Sequence, residues 1–297
     1  MSITPNLREP SPSSSMHAMS CPRTRRRAWS RLETLVVRAA FALCLSMPAH
    51  SRAEEYFEDF DEHGKPDGTP AMTWRYQADL SPVSGWNDLI PGDGFAYLTA
   101  EREFLKKRPC NFTAWPFQTL SFGPVRSNHR ISMRAKNTAI PGVACILFTY
   151  REEPEVDEID IEMVADDTEG AEAGHPTGTV GGWTDIRLNT WANASGTDLN
   201  PKHTIRMPVT DADGRRVSHR DGRFHIYTIE WKPEAVRFYV DGVLQQTIDD
   251  VVPDHPAEVI FGMRQMPWAG QADWDDSQTM LVDWICIEPV SGAPASP

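Results

Sequence analysis

Three carboxylates recur at every second position in "DEIDIEMVADD": Glu158, Asp160 and Glu162, with Ile159 and Ile161 between them. On a helix the two glutamates would stack one turn apart with like charges, while Ile159, Ile161 and Met163 would spread around the circumference. On a strand the pattern separates cleanly, acids on one face and apolar residues on the other. The outer glutamates of such a strand lie roughly 13 Å apart at Cα, and stems leaning together bring the carboxyls to about 5 Å. That separation suits one carboxylate attacking an anomeric carbon while the other protonates the leaving oxygen. Asp160 between them feels both charges, so at least one of the three should hold a proton at neutral pH. An exposed acidic edge strand or a calcium-binding face would show the same spacing.

The elements that must hold this strand are short and β-like. The windows "FAYLTAERE", "HRISMRAKN", "GVACILFTY", "DIRLNTWAN", "HIYTIEW", "AVRFYVDG", "VLQQTI", "EVIFGMR" and "MLVDWICIE" lie between clusters of Gly, Pro, Asn and Asp. Few windows have helical periodicity. This organisation predicts an all-β sandwich. Asp241-Gly242 is the clearest hairpin turn. Asp211-x-Asp213-Gly214 reads as another turn, and the stretch from Asp166 to Thr184 as a loop following the acidic strand. Trp231 and Trp284 are expected in the core, as are Cys145 and Cys286 within their apolar runs.

The first fifty residues differ from the rest. Clustered arginines precede an apolar run from Ala39 to Met47 and then Ser51-Arg52-Ala53, the order of a secretory signal peptide. The run is about half the length needed to cross a bilayer, so no permanent membrane anchor is expected. We divide the chain into a signal peptide at 1–53, a catalytic domain at 54–288 and a disordered tail at 289–297. The whole chain has a formal charge of −13; residues 1–53 hold eight arginines against two glutamates, so the remainder carries −19. Such a surface repels nucleic acid and anionic lipid and tolerates neutral polysaccharide or cations. Three cysteines remain beyond residue 53, Cys110, Cys145 and Cys286, without C-x-x-C spacing, so neither a zinc site nor a disulfide framework is indicated. Asn111-Phe-Thr and Asn193-Ala-Ser fit the glycosylation pattern.

"EIDIE" at 158–162 resembles the Glu-x-Asp-x-Glu signature of glycoside hydrolase family 16, and among its members the bacterial lichenase type. The resemblance extends through "KNTAIPGVACILFTY", "FHIYTIEWKPEAVRFYVDGVLQQT", "QMPWAG" and "LVDWICI". It implies a concanavalin A-like jelly roll with a concave substrate cleft and a secreted, retaining endo-β-glucanase, expected as a monomer acting on β-1,3/1,4-glucan. Glu158 would be the nucleophile, Glu162 the general acid and then base, and Asp160 their tuning partner. Phe148, Tyr150, Asn189, Trp191 and Trp268 would bind sugar. No cofactor is expected for catalysis; Asp283 matches a position that contributes to a structural calcium site on the convex side. Another polysaccharide, transglycosylation, or a non-catalytic carbohydrate-binding sandwich stay open.

Departures from the family limit the substrate inference. Val156 stands where lichenase-type members carry a tryptophan two residues before the nucleophile. Trp115, Phe117 and Gln118 stand where a charged pair enters the cleft, so hydrogen-bond donors give way to apolar surface and an amide. Cys110 falls near a position that is disulfide-bonded in those relatives.

Overall fold

A computed structural model describes residues 56–68, 73–77, 85–100, 115–138, 142–164, 185–194, 205–218, 221–266, 269 and 277–290, all within the compact unit that spans 51–297. Two antiparallel seven-stranded sheets are present. The first runs β1 (Tyr56–Glu58), β14 (Gln278–Pro289), β5 (His129–Lys136), β10 (His225–Lys232), β11 (Ala235–Val240), β12 (Val243–Ile248), with β3 (Ala96–Ala100) also paired to β14. The second runs β2 (Arg75–Gln77), β4 (Trp115–Val125), β13 (Ala257–Gln265), β6 (Val143–Arg151), β7 (Val156–Val164), β8 (Asp185–Ala194), β9 (Ile205–Pro208). The described helix, α1 (Trp86–Leu89), is a single turn. The chain is thus a β-jelly-roll sandwich, as the short alternating windows require.

Alternation decides which face each strand buries. Ile131, Met133 and Ala135 of β5, Val259, Phe261 and Met263 of β13, and Ile159, Ile161 and Met163 of β7 all enter one core between the sheets. Trp74 stacks on Phe122 at 4.6 Å within it. Trp231 is fully buried, and its indole N–H donates to the Pro253 carbonyl at 2.8 Å. The continuous apolar run of β6 has a different cause. Its second face also is buried, in a smaller cluster of Ala144, Ile146, Phe148, Val164, Met266 and Ala269. A strand buried on both faces has no polar positions to alternate.

The hairpin turn is where the sequence places it: Asp241 and Gly242 have φ of 50° and 77°, both left-handed as a two-residue type I′ turn demands. Asp211 closes its own turn by accepting from the Asp213 and Arg215 amides. Three expectations need correction. Trp284 is not in the core; a register shift between Val282 and Trp284 turns it to the outer face, 6.1 Å from Phe57. Cys286, two residues on, is likewise only half-buried, whereas Cys145 is buried and its thiol is pushed up to about 12 by desolvation. Finally, order continues past 288: Pro289 ends β14 and the Val290 amide donates to Asn128 O at 2.9 Å. The Asp166–Thr184 stretch, Cys110, Asn111 and most of the 289–297 tail lie outside the described residues, as do the side chains of Trp115, Phe117 and Asn193.

Candidate active site

Strand pairing builds the site as three rows across the face of the second sheet turned away from the main core. Glu158 faces Tyr150 on β6 and Trp191 on β8; Asp160 faces Phe148 and Asn189; Glu162 faces Ile146 and Arg187. Directly opposed side chains on neighbouring strands stand about 5 Å apart, so the three acids form a ladder with aromatic and polar neighbours on both sides. Isoleucines at 159 and 161 anchor the same strand in the core from behind.

Electrostatics divides the labour among the acids. Burial, followed by the charges of Glu158 and Glu162, pushes the Asp160 carboxyl well above the usual range, which favours its protonated form, and the carboxyl is hydrogen-bonded to Glu158. The Trp191 indole N–H donates to the same carboxyl. Burial also raises Glu158, but the hydrogen bond from Asp160 and the Arg264 guanidinium oppose that rise. Those two contacts favour a carboxylate at Glu158. Glu162 has a different neighbour: Arg187 Nη1 lies 3.9 Å from its Oε2, both side chains being largely buried. At that distance this atom pair contributes charge attraction.

The floor between the acids and β4 depends on a close approach. Gly262 of β13 shares the row of Ile146 and Glu162 and lies against Thr119 of β4. A Cβ there would come within 2.8 Å of Thr119 Cα and nearer still to the Gln118 carbonyl, and its φ is +142°. Only glycine fits.

The structure brings Glu158, Asp160, Glu162, Phe148, Tyr150, Asn189 and Trp191 onto one face. Trp268 lies outside the described residues. The aromatic positions differ from free stacking platforms. Phe148 is only 4% exposed, packed in the small cluster with Arg264 over its ring at 5.6 Å, and Trp191 is held by its bond to Asp160. Asn189 is buried, and its Oδ1 has no hydrogen-bond partner among the described residues. Gln118 does not enter the cleft as expected. Its parity matches Leu120 and Phe122, so it points inward, where its Oε1 accepts from the Thr99 amide at 2.6 Å. Two residues of this face escaped the sequence reading, Arg187 and Arg264. Arg187 alternates with Asn189 and Trp191 in "RLNTW", a signal that period two would have exposed; Arg264 follows Gly262 by the same rule.

Asp283 stands on β14 in the other sheet, in an ion pair with Arg134, whose guanidinium also covers the Phe224 ring at 4.7 Å. Calcium requires six or more oxygens. Among the described residues, Asp283 has Arg134 as its positive partner, and Asp61 stands close enough that its pKa, raised first by burial, is raised further by the Asp283 charge.

Two antiparallel seven-stranded sheets with an acid ladder on the face of one turned away from the core define a β-jelly roll with a carboxylate site. The family model for glycosyl hydrolases family 16 matches residues 119–286, more than half of the chain, and this protein belongs to that family. Curated relatives include the β-glucanase of Paenibacillus polymyxa, 27% identical over 165 residues that cover 53% of this chain and 57% of that protein, and the β-glucanase of Brevibacillus brevis, 22% identical over 245 residues that cover 79% and 82%. The chain spans about half the length of the Paenibacillus and Bacillus relatives it matches. A solved lichenase derived from a mouse hindgut metagenome shares the fold, with a TM-score of 0.55 and 21% identity over 79% of this chain and 99% of that one.

Proposed function

We propose that the protein is a retaining β-glucanase that cleaves internal bonds of a β-1,3/1,4-linked glucan by double displacement. The feature that carries the reading is the hydrogen bond between Asp160 and Glu158, beside a Glu162 that faces Arg187 instead. A carboxylate whose ionised form is favoured by a hydrogen bond and a nearby guanidinium, against its burial, is suited to attack, and the second glutamate, held at its own row, is suited to protonate the leaving oxygen and later to activate water. Tyr150 and Asn189 flank the ladder and would receive the sugar. The open Asn189 Oδ1 suits a ring hydroxyl, since a buried acceptor without a donor costs about 1–3 kcal/mol until one arrives. Residues 1–53 would direct export, so the enzyme would meet its polymer in the periplasm or outside the cell as a monomer, with no nucleic acid partner. No helix among the described residues is long and apolar enough to cross a membrane.

A second reading keeps the mechanism and changes the polymer. Arg264 lies over the Phe148 ring and beside Glu158, a cation on the cleft face that an anionic exopolysaccharide would meet there. Incubating the protein with lichenan, laminarin and a uronic-acid polymer, with product linkage read by chromatography, separates the two. Lichenan cleavage is expected, and Glu158→Gln abolishes it while leaving oligosaccharide binding within about tenfold. Normal turnover by that variant would overturn the assignment of the nucleophile.

A further inference from the structure

The segment between β12 and β13 runs behind the catalytic strand pair and is pinned there at three points. The Val251 carbonyl accepts from Thr190 Oγ1 of β8 at 2.6 Å. The Pro253 carbonyl accepts from the Trp231 indole of β10 at 2.8 Å. His255 then grips β7: its backbone N–H and its ring Nδ1 both meet Asp157 Oδ2, at 3.1 and 2.8 Å.

The two pins on the second sheet interleave with the site. Asp157 immediately precedes Glu158 and points the opposite way, fully buried; Thr190 lies between Asn189 and Trp191, also fully buried. The β7–β8 register shifts between Val156 and Glu158, at the end of the ladder where backbone pairing alone fixes the strand least well. A buried carboxylate must be hydrogen-bonded, and His255 supplies two of the bonds to Asp157, which help set the height of the residue next to Glu158.

We propose that Val251–His255 is a positioning strap, with His255 a positioning residue that acts through Asp157 to hold the Glu158 backbone at attack distance. This rests on the reading of Glu158 as nucleophile. It is separate from the acid ladder itself, because no strap residue faces the cleft. The ring N–H is shared with Asp254 Oδ1, also 2.8 Å away. These three ligand-type atoms lie within 4.8 Å of one another, so a cation could gather them in place of the proton; chelation distinguishes the two.

The test compares wild type with His255→Ala and His255→Asn, whose amide can place an N–H where Nδ1 stands. Each is assayed well below its own melting midpoint. Three quantities are read: kcat, KM, and the rate at which an epoxyalkyl β-oligoglucoside labels Glu158, followed by peptide mass. A nucleophile shifted by a fraction of an ångström loses about tenfold or more in rate. The expected result for His255→Ala is therefore a kcat and a labelling rate reduced together by at least tenfold, with KM within threefold, and recovery in His255→Asn to within threefold of wild type. EDTA leaves the wild type unchanged. Should His255→Ala fail to fold, Thr190→Val removes another pin at constant volume and should slow labelling at least threefold. Labelling of the alanine variant at the wild-type rate, an asparagine variant as slow as alanine, an unaffected Thr190→Val, or loss of activity in EDTA overturns the proposal. A wild type that is neither active nor labelled removes the nucleophile assignment itself, which the other outcomes leave standing.

Discussion

Gly262→Ala should be among the most damaging single-methyl changes in the protein. Its added Cβ would meet Thr119 Cα at 2.8 Å and press harder still on the Gln118 carbonyl, both backbone atoms that no rotamer change can move. Ordinary contact begins about 3.5 Å apart, so β4 and β13 would have to separate by close to an ångström. Overpacking of this kind costs about 1–3 kcal/mol, occasionally more, and a φ of +142° adds about 1–3 kcal/mol for a residue with a Cβ. The sum is about 2–6 kcal/mol, which for a domain of this size lowers the melting midpoint by roughly 4–24 °C. Gly242→Ala is the control. It has a positive φ of +77° but nothing within 4 Å of the new methyl, so only the backbone penalty of about 1 kcal/mol applies. Circular dichroism melts of the two variants at one pH supply the comparison. A Gly262→Ala protein that melts no lower than Gly242→Ala would refute the close-approach argument and with it the account of the cleft floor.

Other consequences follow from particular contacts. Arg264→Gln removes a cation that favours the ionised form of Glu158, so the Glu158 pKa rises and the acid limb of the kcat/KM profile moves to higher pH; an unmoved limb would show that Arg264 does not act on the nucleophile. His225 is raised by its bond to Asp241 first and by Asp221 as well. A raised histidine stabilises fully below its unfolded pKa of about 6.5 and loses that contribution as pH climbs through the folded value. The melting midpoint of His225→Gln should therefore approach that of wild type as pH rises from about 6 toward 8, and a constant gap between them contradicts the pairing. Trp231→Phe orphans the Pro253 carbonyl and leaves a void, a loss of about 2–4 kcal/mol measurable by urea denaturation.

What was legible beforehand was what repeats at period two. The acid ladder, the sandwich, the Asp241-Gly242 turn and the burial of Trp231 all followed from local pattern. What escaped depended on register. Whether Trp284 faces in or out turns on a single bulge, and Gln118 reads as a cleft residue until its parity with Leu120 is known. Arg187 and Arg264 matter because pairing places them opposite or beside the acids, and no local spacing encodes which strands become neighbours. Phe148 shares the row of Asp160, yet its ring is occupied by the small cluster that a doubly buried β6 requires. The strap behind β7 could not be read at all, since its pins join residues 61 and 98 positions apart in sequence.

The division of roles between the two glutamates is tested most directly by azide rescue on an activated aryl β-glucoside oligomer. With the nucleophile removed, azide attacks the sugar once from the opposite face; with the acid–base removed, it intercepts the glycosyl-enzyme and inverts a second time. Glu158→Ala should therefore yield the α-glycosyl azide and Glu162→Ala the β-glycosyl azide. The reverse pairing, or the same anomer from both variants, would contradict the account.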